Sequence, residues 1–234
     1  MARILIAIGT KGNVHAITSM SVSRIVKQRD DTDYVIVRGR PLDYVRNSIL
    51  RTLKQQQQYS HLFMVDDDIG LPLDAVDRLL ACNATLATGC YPALSPTGIK
   101  WVLANKGSDG HYRLLEGLVS SCQPFEVDVG GAGCLLIRRD LFDKVSWPWF
   151  KWVEYADGHQ MTEDIHFFDK CRDAGVRVTV EPTVICDHFK EINLRTVVPK
   201  TRRYYGEDFD CGTDNARPPS GDIDVGNGTI ETPA

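Results

Sequence analysis

The chain has 234 residues, 43% of them hydrophobic and 25% charged, with a net charge of −4. This is the profile of one sizeable globular α/β domain, and the charge gives no global argument for a nucleic-acid binder, leaving room only for a local basic patch. No apolar run approaches the roughly 20 residues needed to cross a bilayer. The seven cysteines, odd in number and without CxxC spacing, speak against a disulfide framework or zinc cage and for a reduced, cytoplasmic protein.

In chain order, residues 3–9 read as a first strand, too short an apolar stretch for a signal peptide. After the loop Thr10-Lys11-Gly12-Asn13, residues 16–27 carry helical spacing through Ile17, Met20 and Ile25. Residues 34–37 read as a second buried strand. The stripe Leu42, Val45, Ile49, Leu50 and Leu53 predicts a helix over 43–53. A third strand, 61–65, runs into Asp66, Asp67 and Asp68. Pro72 is expected in the first turn of a helix reaching about Cys82, where its missing N–H costs nothing, and 86–89 reads as a fourth strand. Strand–helix alternation predicts a mostly parallel sheet flanked by helices, with ligands beyond the carboxyl ends of its strands.

The Gly-, Ser- and Pro-rich stretch from about 91 to 128 reads as antiparallel additions to the same sheet. Gly130-Gly131-Ala132-Gly133 precedes a strand over 134–137, a helix over 163–174 stops at Gly175, and strand-like segments follow over 176–180 and 183–186. From Gly206 onward, Glu207, Asp208, Asp210, Asp214, Asp222, Asp224 and Glu231 face only Arg217. That composition predicts a disordered acidic tail over 206–234 after a single domain over 1–205.

Four features carry chemistry. Alternate strand residues point the same way, so Asp66 and Asp68 are expected on one face, suited to a hard divalent cation that carries phosphates. Taken alone, a short Asp-x-Asp is more often a solvated strand end. The glycines at 130, 131 and 133 permit close approach of a substrate or of another piece of chain. Thr162 is an N-cap candidate that puts Glu163 and Asp164 in a first helical turn, where the dipole stabilises their charge and either can act as a general base. His188 ends a strand-like segment and can complete an oxygen/nitrogen metal site.

The order of these features resembles the motif series of the GT-A glycosyltransferases, especially the family 2-like nucleotide-sugar transferases. The resemblance rests on Phe63-Met64-Val65-Asp66-Asp67-Asp68-Ile69, on Gly131-Ala132-Gly133-Cys134-Leu135-Leu136-Ile137 and on Thr162-Glu163-Asp164-Ile165-His166. It implies a Rossmann-like GT-A fold and transfer of a sugar from a nucleotide-diphosphate donor to an acceptor hydroxyl, helped by Mn2+ or Mg2+. Asp66, Asp68 and His188 would hold the metal. Asp164 would be the base of an inverting displacement, with Glu163 the lesser candidate. Arg46, Asp66, Asp67, Gly131, Ala132, Gly133, Lys200 and Arg203 would meet the donor. Trp147, Trp149 and Trp152 would stack on the acceptor, which is a glycan, a lipid carrier, a protein or a modified nucleic acid. The loop Thr10–Asn13 departs from the family's Pro-x-Tyr-Asn pattern and leaves the base open. A sugar-phosphate nucleotidyltransferase and a non-catalytic sugar-nucleotide-binding or glycan-binding module are the alternatives.

Overall fold

Seven of the eight residues of the first strand, β1 (Arg3–Thr10), are buried, as expected of a strand covered on both faces. The structure, a computed structural model, describes residues 3–95, 98–115, 122–156, 158 and 160–191. Those up to Lys190 belong to one compact unit. Lys200, Arg203 and the acidic tail lie outside the described residues.

After β1 come α1 (Ala16–Gln28), β2 (Thr32–Arg38), α2 (Leu42–Gln55), β3 (Tyr59–Asp66), β4 (Ile69–Gly70), α3 (Ala75–Ala81) and β5 (Leu86–Cys90). Two hairpins follow, β6 (Pro92–Ser95) with β7 (Gly98–Trp101) and β8 (Ala104–Lys106) with β9 (Tyr112–Leu114). Next are β10 (Phe125–Val127), β11 (Cys134–Arg138), the small hairpin β12 (Val153–Glu154) and β13 (Gln160–Met161), α4 (Glu163–Asp173), β14 (Val178–Ile185) and β15 (Asp187–His188).

The main sheet has seven strands in the order β10-β14-β5-β11-β3-β1-β2. β1 is parallel to β2 and β3, β11 is antiparallel to β3 and β5, β5 is parallel to β14, and β10 is antiparallel to β14. Five of the seven strands therefore run the same way, which is the mostly parallel sheet expected from the sequence. Leu5, Ala7, Val45, Ile49, Phe167 and Phe168 form the core on the α2 and α4 side. Ile4, Ile6, Ile8, Val22, Ile25 and Leu79 form the core on the α1 and α3 side. Among the described residues no helix is long and apolar enough to cross a membrane.

Four expectations are corrected. The hairpins β6/β7 and β8/β9 form sheets of their own, and β10 alone of that stretch joins the main sheet. Strand β2 is an edge with Tyr34, Val35 and Ile36 exposed, not a buried strand; a short apolar run does not reveal how many neighbours it has. Pro72 accepts the Ala75 N–H in a turn ahead of α3 rather than standing in its first turn. The segments 176–180 and 183–186 are one strand, β14. Helix α4 ends as expected before Gly175, whose φ of +73° is readily adopted only by glycine.

Candidate functional site

The carboxyl ends of β1, β3 and β5 converge on one rim, with the segment 187–190 laid against it through the pairing of β15 with β4. Strand β3 ends at Asp66, whose N–H donates to the Gly133 carbonyl. Asp67 and Asp68 lie in the following turn, so the strict alternation expected of a strand stops at Asp66. The three carboxylates take three different partners. Asp66 accepts two hydrogen bonds from Arg46, at 2.8 and 3.0 Å. Asp67 accepts from the Thr10 hydroxyl at 2.6 Å, which ties the rim to the loop after β1. Asp68 faces His188 Nε2 at 3.5 Å and also binds the Lys190 ammonium.

Burial alone would raise the Asp68 carboxyl, but hydrogen bonds from His188 and Lys190 outweigh it and hold its pKa at about 2. His188 is shifted upward, chiefly by its bond to Asp68. Its Nδ1 lies 2.6 Å from the Pro92 carbonyl. A carbonyl only accepts, so Nδ1 carries a proton, and the bond from Nε2 to Asp68 places a second on Nε2; loss of that Nε2 proton would turn its lone pair toward the same spot as the carboxylate. Metal-ligating histidines are oriented in this way, and a hard divalent ion needs only one or two carboxylates when waters and substrate phosphates complete its shell. The pair therefore fits Mn2+ or Mg2+, with Lys190 occupying the place of positive charge. Among the described residues no group of three or more His, Cys, Asp or Glu side chains is gathered as a cage. Asp66, engaged by Arg46, stands beside the pair rather than completing it.

Arg46 comes from α2 and is only 4% exposed. Besides Asp66 it donates through Nη1 to Glu163 at 2.9 Å, while Phe150 lies 5.6 Å from its guanidinium carbon. Burial works against its charge, yet Asp66, Asp164 and Glu163 together hold its pKa above the ordinary arginine value. The resemblance has Arg46 meeting the donor, at the nucleotide or its phosphates. With both terminal nitrogens committed below the surface, it instead fixes the carboxylates of β3 and α4 against each other. Glu163 is buried, and burial raises its pKa despite Arg46; it is a partner of Arg46, not an exposed base.

Asp164 is half-buried at the start of α4. Its Oδ1 accepts from the Thr162 hydroxyl and from the Ile165 N–H. Thr162 holds the N-cap position but spends its hydroxyl on Asp164, not on a helix N–H. Both bonds land on Oδ1, so Oδ2 has no hydrogen-bond partner among the described residues.

The glycine loop is covered by protein. Gly131, Ala132 and Gly133 are buried, and the Gly133 N–H donates to the Tyr91 hydroxyl at 2.9 Å. A Cβ at Gly131 would meet the Tyr91 ring and hydroxyl at 2.3 Å, and one at Gly133 would meet Asp66 Oδ2 at 2.9 Å. The close approach expected of a donor is made by Tyr91 and Asp66. Gly131→Ala should therefore cost about 1–3 kcal/mol by overpacking. A melting curve checks this, and an unchanged midpoint would show that Tyr91 is free to move aside.

Tyr91 escaped sequence reasoning. It follows β5 directly, its ring edge meets His188 at 5.2 Å, and burial raises its phenol well above the ordinary range, so it stays protonated. The rule that strand carboxyl ends line the site, applied to β5 as it was to β3, points to it.

The three tryptophans separate. Trp149 is 2% exposed, packs on Phe142 and donates its indole N–H to the Val145 carbonyl at 3.0 Å. Asn47 clamps this turn: its Oδ1 accepts from the Trp149 and Phe150 N–H groups at 3.1 Å, and its Nδ2 donates to the Phe150 carbonyl at 2.7 Å. Trp149 is thus core, not acceptor surface, while Trp147 and Trp152 are exposed.

No protein-family model matches the chain, and no curated protein matches it. Solved structures do. A197 from STIV aligns with a TM-score of 0.56 at 21% identity, over 81% of this chain and 86% of that one. GalNAc-T7, solved with UDP, GalNAc and Mn2+, aligns with a TM-score of 0.56 at 10% identity, over 82% of this chain and 44% of that one. S. aureus TarS 1-349, in complex with UDP-GlcNAc, gives 0.45 at 12% identity, over 83% and 61%. The chain spans less than half of the GalNAc-T7 chain. With its mostly parallel seven-stranded sheet and flanking helices, the chain has the GT-A fold.

Proposed function

We propose that the protein is a metal-dependent glycosyltransferase that moves a sugar from a nucleotide-diphosphate donor to an acceptor hydroxyl. The observation that carries this reading is the Asp68–His188 pair at the carboxyl end of β3, with His188 oriented by the Pro92 carbonyl. A fold neighbour, GalNAc-T7, was solved with UDP, GalNAc and Mn2+, which supports a donor of that class. Asp68 and His188 would hold Mn2+ or Mg2+, which when bound supplies Lewis-acid neutralisation of the diphosphate leaving group.

The chain's own residues do the rest. Arg46 holds Asp66 and Glu163 in place through hydrogen bonds to both, so the rim does not reorganise as charge develops. Asp67, fixed by Thr10, and Asp66 border the donor. Thr162 and the Ile165 N–H orient Asp164, and its unpartnered Oδ2 takes the proton of the acceptor hydroxyl in an inverting displacement. Trp147 and Trp152 are the aromatic faces left for an acceptor, and Lys200 and Arg203 remain candidates for the diphosphate.

Asp68→Ala tests the reading. The variant is expected to fold normally and to lose the enhancement by manganese of nucleoside-diphosphate binding, measured by titration calorimetry. Manganese-enhanced binding equal to wild type would remove Asp68 from the site.

A further inference from the structure

Two clefts run along the outer side of α1. One, of about 490 Å³, lies between α1 and β2 and is lined by Met20, Arg24, Lys27 and Tyr34. The other, of about 240 Å³, lies toward β4 and is lined by Ile17, Met20, Arg24 and Leu73, with Asp187 its one carboxylate. Met20 and Arg24 border both clefts, so the two form a continuous surface. Residues 17, 20, 24 and 27 share one helix face, opposite the buried Thr18, Val22 and Ile25.

Strand β2 extends this face. It is the last strand of the sheet, and Tyr34 and Ile36 register with Ile6 and Ile8, which pack against Val22 and Ile25 of α1. Tyr34 and Ile36 therefore stand on the α1 side of an open edge. Met20 is 57% exposed, Tyr34 52% and Ile36 48%, a contiguous apolar strip larger than isolated surface residues need.

Among the unpaired charges around the strip, cations outnumber carboxylates. Arg24, Lys27 and Arg38 have no carboxylate partner among the described residues. Of the nearby carboxylates, Asp33 pairs with Arg3, and Asp31 and Asp77 pair with Arg29; Asp187, at the second cleft, and Asp30, in the turn after α1, have no ion-pair partner among the described residues. An apolar helix face carrying unpaired cations is complementary to an amphipathic anionic surface. A second copy of the chain would set these cations against their equals, and single-stranded nucleic acid would need several stacking aromatics where Tyr34 stands alone. We propose that the outer face of α1, with the β2 edge, docks the protein on an anionic lipid bilayer. The assignment rests on this face alone and holds whatever the catalytic rim does.

The test is co-sedimentation of the full chain with vesicles of phosphatidylcholine alone or enriched in phosphatidylserine, at low and high salt. Binding is expected only to the phosphatidylserine vesicles and should weaken with salt. Reversing two cations in Arg24→Glu/Lys27→Glu should reduce it by roughly 25-fold or more, at about fivefold per cation, with the circular dichroism spectrum unchanged. Should that variant misfold, Met20→Ser and Arg38→Gln replace exposed side chains singly, and each should weaken binding several-fold. Absence of phosphatidylserine-dependent binding by the wild type would overturn the proposal, as would equal binding by the folded variants. Sensitivity of dimerisation or of oligonucleotide binding to the same substitutions, without vesicle binding, would also overturn it.

Discussion

Arg46→Met is expected to cost about 3–5 kcal/mol of folding stability, because removing one member of a buried ionic group strands the others. The methionine fills much of the arginine's volume, so the loss reports charge and hydrogen bonding rather than a cavity. Glu163 would keep its buried position without the cation that now donates to it at 2.9 Å, and Asp66 would lose both hydrogen bonds from the same group. Burial already raises the Glu163 pKa with Arg46 present; without Arg46 the folded state should take up a proton there. A folded-state pKa above the unfolded value of about 4.3 makes the folded form the better proton binder. Its contribution is then complete below that unfolded pKa and is lost as pH rises. The deficit of Arg46→Met should therefore be largest at neutral pH and shrink toward about pH 4. Glu163→Gln added to Arg46→Met should recover part of it at pH 7. Urea unfolding at several pH values measures both effects. A neutral variant with no pH dependence would mean that the carboxylates find water on their own.

Asp164→Asn is expected to cut turnover by about 10²–10⁴-fold, the contribution of a positioned general base, and to leave donor affinity nearly unchanged. Asparagine retains the oxygen that accepts from Thr162 and Ile165 and removes only basicity. Glu163→Gln separates the two candidates: with Glu163 held by Arg46, its effect should fall on stability. Normal turnover in Asp164→Asn with a large loss in Glu163→Gln would transfer the role to Glu163. Normal turnover in both would point to a retaining reaction with no enzymic base here.

The parts of this account legible in the sequence are those written in local pattern. The buried run of β1, the stripe of α2 and the stop at Gly175 depend on neighbours a few residues apart. The Asp–Asp–Asp turn and the α4 start were legible as charges placed where a core gains nothing from them. What could not be read lay in partners distant along the chain. Arg46 adjoins an apolar stripe and looks like an ordinary surface arginine until Asp66, 20 positions on, and Glu163, 117 positions on, are brought to it. Asn47 likewise hid its role, since its partners Trp149 and Phe150 lie more than a hundred residues away, and with it the burial of Trp149. The glycine loop showed that something approaches closely, but the residue type cannot say whether it is substrate or Tyr91. The edge position of β2 depends on the order of the whole sheet, which no short window contains.

The central claim is that the Asp68–His188 rim carries a metal-assisted transfer from a nucleotide sugar, and product analysis tests it most directly. A panel of nucleotide sugars is incubated with the protein and Mn2+, and the released phosphates are separated by ion-exchange chromatography. Nucleoside diphosphate is expected from one member of the panel, dependent on the metal and absent in Asp68→Ala. Release of pyrophosphate, or release of nucleoside diphosphate undiminished by chelation and by Asp68→Ala, would contradict it.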